Sequence, residues 1–232
     1  MPTIQLDDAC VRVALPGRGA RDILAPTALT LTERRVGVIG ANGSGKSTLA
    51  RLVNGLVRPS SGRVLVDGLD VARQGAAVRR LVGFCFTDPA AQLVMPTCLE
   101  DIELSLRRST KDATTRRARA LQVLAEHGLA DHAHDSVHSL SGGQRQLLAL
   151  AGVLAIRPTI VVADEPTTLL DRANTRRVTD TLFALEQQLV LVTHDLEAAA
   201  RCDRVLVVAD GHVVADGSGD EAVAHYVGLV DR

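Results

Sequence analysis

The residues with the clearest chemistry form a glycine-rich loop between a predicted strand and a predicted helix. Residues 40–48 read G-A-N-G-S-G-K-S-T, after the apolar run 36–39 and before a helical pattern that puts Leu49, Leu52 and Val53 on one face. Glycines at this spacing let backbone N–H groups face a phosphate at a helix N-terminus, where the helix dipole also favours an anion. The sequence therefore predicts a phosphate-binding loop made by Asn42, Gly43, Ser44, Gly45, Lys46, Ser47 and Thr48.

Lys46 is set apart by the composition of the chain. There are 24 Arg but only two Lys, at positions 46 and 111. A compact ammonium fits between phosphate oxygens inside a tight loop, whereas a planar guanidinium does not. We therefore expect Lys46 to reach the outer phosphates and Ser47 to offer its hydroxyl to Mg²⁺. The alternative, a glycine-rich turn that matches by chance, is disfavoured by the strand and helix on either side.

Two acidic residues follow a buried strand predicted from the apolar run 160–163. Asp164 and Glu165 would emerge at the carboxyl edge of a parallel sheet, where ligands of such sheets bind. Asp164 is placed to hold Mg²⁺ through its water shell. Glu165 faces another direction and could act as a general base on an attacking water, a role worth a factor of about 10²–10⁴. His194 follows another predicted buried strand, 189–193. Because the chain already carries a phosphate loop and two acids at a strand end, we predict that His194 is a site residue rather than a structural histidine.

A second anion-binding site is predicted at residues 141–144, at the start of another helix. Ser141 and Gln144 have the spacing of a capping box, which puts Ser141 at the N-cap of a helix that continues through the apolar run 147–156. Gly142 and Gly143 would leave backbone N–H groups uncovered at the positive end of the helix dipole. The alternative is an ordinary capped helix, but each glycine costs about 1 kcal/mol in helix propensity and requires a local reason.

The remaining patterns indicate one α/β domain with a helical insertion. Residues 1–35 alternate as antiparallel strands do, with a turn around residues 16–19. Residues 64–68 read as a strand and its exit, and 81–86 form another apolar run. Residues 205–209 and 212–215 read as a hairpin around the D-G turn 210–211, followed by a short helical tail.

The insertion is predicted to contain two helices between residues 99 and 128, joined by a polar link at 109–115. The first would bury Leu99, Ile102 and Leu106, and the second Leu121, Leu124 and Ala125 before Gly128 ends it. The histidines at 132, 134 and 138 could suggest a metal site. No carboxylate or thiolate at suitable spacing completes such a site, so a polar loop is favoured.

Composition narrows the class of protein. The net charge is −1 and the Arg pairs are scattered, so a nucleic-acid track is not indicated. The four cysteines have no C-x-x-C spacing and are expected to be reduced packing residues of a cytoplasmic protein. The first ten residues do not read as a signal peptide, and the longest uncharged apolar run, 147–156, is too short to span a bilayer. We expect contact with a membrane only through a partner.

Together these segments resemble the ATP-binding proteins of ABC transporters over nearly the whole chain. The likeness rests on residues 140–144, L-S-G-G-Q, upstream of 161–166, V-V-A-D-E-P, with His194 further on. It implies a P-loop NTPase fold with a mainly parallel core sheet, an N-terminal antiparallel β part and a helical insertion. The whole chain, 1–232, would be a single domain. Its nucleotide-binding core would be 1–86 and 159–232, and 87–158 would hold the Gln-loop and the helical subdomain.

The resemblance also implies MgATP hydrolysis by a dimer. ATP would lie between the phosphate loop of one copy and the Ser141 segment of the other. Asp171, expected in the first turn of the helix after residues 167–170, is counted with the nucleotide-binding residues. The partner could be a second copy of this chain or a paralogue.

Residues 86–97, F-T-D-P-A-A-Q-L-V-M-P-T, look like the same loop in the ATPases of energy-coupling factor (ECF) importers for vitamins, cobalt or nickel. Such importers pair two ATPases with an integral membrane scaffold protein and a substrate-capturing membrane protein. Within that group the chain is most similar to the biotin-transporter ATPase, and the resemblance implies a peripheral location on the cytoplasmic face of the membrane. The docking surface would be the Gln-loop segment and the helices that begin near Leu99.

Two positions depart from the family pattern. Thr87 stands where a glutamine normally helps to bind Mg²⁺, so Thr87 is counted as a metal-site residue of shorter reach, and Val13 stands where an aromatic ring normally stacks on adenine. Three alternatives to an ECF ATPase stay open: an ordinary ABC transporter ATPase, a soluble ABC-type protein acting on DNA or ribosomes, and an inactive regulatory subunit, the last suggested by Thr87. The second would need long insertions or basic arms, which the sequence lacks.

Overall fold

A computed structural model of the chain describes residues 1–15, 17 and 19–231. Within them the chain forms ten strands and eight α-helices. In chain order these are β1 (Ile4–Leu15), β2 (Gly19–Leu31), β3 (Arg35–Ile39), α1 (Lys46–Asn54), β4 (Ser61–Val66), β5 (Leu69–Asp70), α2 (Gly75–Leu81), β6 (Val82–Cys85), α3 (Cys98–Leu106), α4 (Ala113–Glu126), α5 (Gly142–Ala155), β7 (Ile160–Asp164), α6 (Arg172–Phe183), β8 (Gln188–Val192), α7 (Leu196–Ala200), β9 (Arg204–Ala209), β10 (His212–Gly217) and α8 (Gly219–Val230).

The chain separates into two compact units. The first comprises residues 1–83, 159–165 and 185–232, and the second comprises 84–158 and 166–184. Four helices lie entirely in the second unit, namely α3, α4, α5 and α6.

The core sheet has the strand order β10-β9-β3-β8-β7-β6. All of its strands lie entirely in the first unit except β6, which is divided between the two units after Gly83. The neighbours β7, β8, β3 and β9 run parallel, and every residue of β3, β7 and β8 is buried. Continuous aliphatic runs such as these are typical of parallel strands that are covered on both faces. The predicted mainly parallel core sheet is confirmed, and the loops after β3, β7 and β8 leave it at the same edge.

An antiparallel sheet with the order β2-β1-β4-β5 also belongs to the first unit, as the alternation of residues 1–35 predicts. The predicted turn at 16–19 includes Pro16 and Arg18, which lie outside the described residues. The hairpin of β9 and β10 is confirmed, because Asp210 and Gly211 both have positive φ, 47° and 79°, as a two-residue hairpin turn of this kind requires.

Helices α3 and α4 pack against each other and against α5 in the second unit. Leu99, Ile102 and Leu106 are buried, as predicted. The predicted face of α4 is confirmed for Leu124, which is buried, and wrong for Leu121, which is 40% exposed, and for Ala125, which is also exposed. Ala120 and Val123 are buried with Leu124. Both triplets have helical spacing, so the sequence pattern does not separate them, and packing against α3 and α5 decides which is buried.

All four cysteines are free and buried, which confirms their prediction as packing residues. Burial raises the pKa of the Cys85 and Cys202 thiols to about 12. Across the described part of the chain, we find no helix that combines the length and apolar character needed to cross a bilayer.

Candidate functional site

The predicted phosphate loop connects β3 to α1, and tight contacts to neighbouring strands explain two of its glycines. A Cβ at Gly40, whose φ is 147°, would lie 2.0 Å from the carbonyl oxygen of Val208. A Cβ at Gly45, whose φ is 109°, would lie 2.6 Å from the carbonyl oxygen of Ile23. Only glycine combines this backbone conformation with so close an approach. The loop leads directly into α1, which begins at Lys46, so the predicted order of strand, glycine-rich turn and helix is confirmed.

Lys46 is 5% exposed and lies inside the loop that precedes it. Its ammonium donates hydrogen bonds to the carbonyl oxygens of Gly40 at 2.8 Å and Ala41 at 2.9 Å. Burial lowers the pKa of Lys46, although the charges of Glu165 and Asp164 oppose this shift. The ammonium therefore lies at the N-terminus of α1, where a phosphate would meet both the charge of Lys46 and the positive end of the helix dipole.

The other loop residues differ in their accessibility. Asn42 and Gly43 are exposed, Ser47 and Thr48 are half-buried, and Ser44 is buried. Within the described residues the Ser44 hydroxyl has no hydrogen-bond partner. An unpaired buried hydroxyl in this loop fits a site where a phosphate oxygen supplies the missing acceptor.

The residues predicted to hold Mg²⁺ from α1 and β7 lie together. The Ser47 hydroxyl donates to Asp164 Oδ1 at 2.7 Å, and Asp164 is 1% exposed. Hydroxyl and carboxylate oxygens are the hard donors that Mg²⁺ prefers, so the pair fits this ion. Arg51 also donates to Asp164 Oδ2 at 3.2 Å, a contact that we did not predict. The available signal was spacing, because Arg51 lies four residues after Ser47 on one face of α1.

Glu165 and His194 form a second contact at the same sheet edge. His194 Nδ1 lies 2.6 Å from Glu165 Oε2, and the backbone N–H of Glu165 donates to the carbonyl of Val192 at 2.9 Å. Glu165 has φ 51°, a left-handed conformation that is uncommon outside glycine. Such strain persists only where surrounding contacts impose it, and it clusters at functional sites. The structure therefore fixes the direction of the Glu165 carboxylate through its backbone and through His194.

In the second unit, the capping box predicted at the start of α5 is confirmed. Gln144 Oε1 accepts a hydrogen bond from the backbone N–H of Ser141 at 2.9 Å, and Ser141 Oγ accepts one from the backbone N–H of Gln144 at 3.2 Å. Ser141 is exposed, and α5 begins at Gly142.

The local reason for Gly143 is packing against α6. A Cβ at Gly143 would lie 2.2 Å from the side chain of Asn174, whereas a Cβ at Gly142 would make only ordinary contacts from 3.7 Å. Asp171 is the N-cap of α6 rather than a residue of its first turn, because its carboxylate accepts hydrogen bonds from the backbone and side chain of Asn174 at 2.9 and 2.8 Å. The backbone hydrogen bond from Asn174 lowers the pKa of Asp171. Asn174 thus links Gly143 to Asp171.

The two positions that depart from the family pattern are also described. Thr87 follows β6 and is half-buried in the second unit. In the first unit, Val13 is 45% exposed on β1, opposite Arg21 of β2. An exposed apolar side chain at position 13 is compatible with van der Waals contact to adenine in place of aromatic stacking. The roles of Thr87 and Val13 stay predictions.

The histidine-rich segment contains two short 3-10 helices, Ala130–His132 and Val137–Ser139. His132 Nδ1 lies 2.7 Å from Asp135 Oδ2, and its Nε2 lies 2.8 Å from Gln144 Nε2. Over the described residues, no three His, Cys, Asp or Glu side chains are arranged to hold a metal ion. The sequence analysis did not connect His132 with Gln144, because the contact joins the end of a short 3-10 helix to the start of α5, twelve residues later.

Comparison with known proteins identifies relatives over most of the chain. A family model described as "ABC transporter" matches residues 27–168. A Deinococcus radiodurans protein described as an ABC transporter ATP-binding protein is 47% identical over 89% of this chain and 91% of its own length. The biotin transport ATP-binding protein BioM of Rhizobium etli is 43% identical over 90% and 92%. An energy-coupling factor transporter ATP-binding protein of Symbiobacterium thermophilum is 39% identical over 90% and 77%.

Solved structures give the same result for the fold. A dimeric ATP-binding cassette in a post-hydrolysis state, bound to ADP and Pi, matches with a TM-score of 0.82 at 29% identity, over 93% of this chain and 98% of its own. The cbiO1 protein of Clostridium perfringens, described as part of the ABC transporter complex cbiONQ, matches with a TM-score of 0.81 at 28% identity, over 97% and 92%. The predicted fold, that of an ABC ATPase, is confirmed.

Proposed function

This chain belongs to the ABC transporter family and hydrolyses ATP, and from that premise we propose that it is the ATPase subunit of an ECF importer. The imported substrate would be a vitamin, with biotin favoured, or a transition-metal ion. The observation that carries the proposal is the similarity to relatives named for biotin transport and for energy-coupling factor transport. The stretch 86–97, which resembles the corresponding loop of ECF ATPases, supports it. The alternative is the ATPase of an ordinary ABC transporter.

The first unit would hold and cleave the nucleotide. Lys46 and the backbone N–H groups of the phosphate loop would bind the phosphates. Ser47 and Asp164 would hold Mg²⁺, with Thr87 as a further residue of the metal site. When bound, Mg²⁺ neutralises charge that develops on the phosphates. Glu165 would accept a proton from the attacking water, and His194 would keep the Glu165 carboxylate in position.

A second ATPase, either another copy of this chain or a paralogue, would complete each site. ATP would lie between the phosphate loop of one copy and residues 141–144 of the other, with Asp171 beside that segment. The dimeric cassette with ADP and Pi supports this arrangement, because it resembles this chain over nearly its full length. A single phosphate loop leaves part of the triphosphate exposed to solvent. A second anion-binding site, residues 141–144 of the other copy, can cover that part.

The proposed membrane partners are a scaffold protein and a substrate-capturing protein, which would hold this chain peripherally on the cytoplasmic face. Residues 86–97 and the helices that begin with α3 would form the docking surface. The chain would act as a single domain, 1–232, with 1–86 and 159–232 as the nucleotide-binding core and 87–158 as the helical part.

The catalytic part is tested with Glu165→Gln. We expect MgATP hydrolysis to fall by about 10²-fold or more, the contribution of a general base, while ATP binding and ATP-driven pairing of copies remain. Exposed Glu186 supplies the matched control, and Glu186→Gln should hydrolyse at the parent rate. Parent-rate hydrolysis by Glu165→Gln would exclude Glu165 as the base.

The transport part is tested by capture of the tagged full chain from detergent-solubilised membranes of its own cells. Mass spectrometry should identify a scaffold protein and a small substrate-capturing protein, and the captured complex should bind labelled biotin or, failing that, Co²⁺ or Ni²⁺. Recovery of a two-subunit permease without a substrate-capturing membrane protein would favour an ordinary ABC transporter. Recovery of nucleic acid in place of membrane proteins would contradict the proposal.

A further inference from the structure

A chain of side-chain contacts in the second unit runs from Asp135 to the start of α5. Asp135 Oδ2 lies 2.7 Å from His132 Nδ1, and His132 Nε2 lies 2.8 Å from Gln144 Nε2. Gln144 Oε1 in turn accepts a hydrogen bond from the backbone N–H of Ser141 at 2.9 Å. These contacts connect the partly exposed His132 to residues 141–144, the segment that the proposed function assigns to ATP binding.

The chemistry of these groups permits only one direction for the hydrogen bonds. Because Gln144 uses its carbonyl oxygen to accept from Ser141, its amide nitrogen faces His132, and an amide nitrogen can only donate. His132 Nε2 must therefore be the acceptor, which leaves the proton of the neutral ring on Nδ1. That Nδ1–H donates to Asp135.

We propose that His132, in its Nδ1–H tautomer, is a positioning residue for residues 141–144. It accepts a hydrogen bond from the Gln144 amide and so keeps the Gln144 carbonyl on the N–H of Ser141. A ring or side chain that could only donate at this point would turn the Gln144 amide around and place its nitrogen against that N–H.

The consequence for the site is the orientation of Ser141. Ser141 Oγ accepts from the backbone N–H of Gln144 whichever way the Gln144 amide faces, whereas the other bond of the capping box, from the N–H of Ser141 to Gln144 Oε1, exists only in the observed orientation of that amide. With both bonds made, the Ser141 hydroxyl proton is not used by the capping box and can be donated outward. This inference rests on the proposed function in one respect, that residues 141–144 cover ATP held by another copy.

The tautomer can be measured without any activity. Long-range ¹H–¹⁵N correlation spectra of the ¹⁵N-histidine-labelled chain, at a pH of about 8 where histidines are mostly neutral, distinguish Nδ1–H from Nε2–H rings. The signal that disappears in His132→Gln belongs to His132 and should have the Nδ1–H pattern. An Nε2–H pattern would overturn the proposal, because Gln144 could not then donate to the ring.

The positioning role is tested by ATP-driven pairing of copies in the Glu165→Gln background. His132→Gln keeps an acceptor oxygen at the same reach and should pair within about twofold of the parent. His132→Lys can only donate and should need about fivefold more ATP, the effect of losing one hydrogen bond. Exposed His134, two residues away, supplies the control, and His134→Lys should match the parent.

ATP binding by each variant, measured under conditions where copies do not pair, separates the outcomes. It should equal the parent's, because the phosphate loop lies in the other unit. Parent-like pairing by His132→Lys, or a loss in His132→Gln as large as in His132→Lys, would overturn the positioning role. If the parent itself does not pair with ATP, the proposed dimer fails, while the tautomer measurement still decides the hydrogen-bond chain.

Discussion

The contact between Gly143 and Asn174 gives the most direct prediction about packing. A Cβ at Gly143 would lie 2.2 Å from Cγ and Oδ1 of Asn174 and 2.8 Å from its Cβ. Rotation of the Asn174 side chain moves Cγ and Oδ1 but leaves its Cβ in place. In Gly143→Ala, α5 and α6 must therefore shift apart. Gly142 is the matched control on the same turn, because its Cβ would have no neighbour nearer than Leu170 at 3.7 Å.

Two effects set the size of the change. Each alanine gains up to about 1 kcal/mol of helix propensity over glycine. Overpacking costs about 1–3 kcal/mol and applies only to Gly143. Gly143→Ala should therefore be about 1–3 kcal/mol less stable than Gly142→Ala, because the propensity gain is common to both variants and cancels in the comparison.

Urea titrations of the full chain, followed by circular dichroism, give the free energy of unfolding of each variant. Asn174→Gly removes all three close atoms, so it is the partner in a double-mutant cycle. Gly143→Ala should be better tolerated in the Asn174→Gly background than in the parent. Equal stability of the two alanine variants, or additive effects in the cycle, would refute the packing explanation for Gly143.

Three further predictions concern other parts of the chain. Leu124→Ala should lower the free energy of unfolding by about 2–5 kcal/mol, and Leu121→Ala by less than about 1 kcal/mol, in urea titrations; the reverse order would mean that the α4 face is wrongly placed. Lys46→Arg should weaken MgATP binding at least about tenfold by calorimetry, since a guanidinium does not fit the loop, whereas Lys111→Arg should bind as the parent does. Because burial raises the thiol pKa of Cys85 and Cys202 to about 12, both stay protonated at neutral pH and should resist iodoacetamide until the chain is unfolded; rapid labelling of the folded chain would contradict this.

Patterns that depend on near neighbours were sufficient for much of the fold. The runs that became β3, β7 and β8 predicted strands, and the run of β7 predicted a buried strand of a parallel sheet. The D-G turn predicted the hairpin of β9 and β10. The capping box at Ser141 followed from the identity of two residues three positions apart. In each case the controlling interaction lies within one strand, one turn or one helical turn.

Predictions failed or were absent where distant residues decide. The buried face of α4 depends on packing against α3 and α5, which the spacing of Leu121 and Leu124 does not encode. Asp171 is a separate case, because its capping partner Asn174 is only three residues away: it was expected in the first turn and is the N-cap, since acids at the two positions look alike in a sequence. Arg51 was not expected to contact Asp164, since its partner comes from another element.

The sequence by itself determined the order of chemical groups: a phosphate loop, a helix capped by Ser141, a strand ending in Asp164 and Glu165, and a histidine at the end of the next strand. Only the tertiary structure decided that Ser47 meets Asp164, that His194 meets Glu165, that Asn174 excludes a side chain at position 143, and that His132 faces Gln144. The physical reason is one of range. Backbone periodicity and capping act over a few residues, whereas these contacts form between residues far apart in the chain and depend on how whole elements pack.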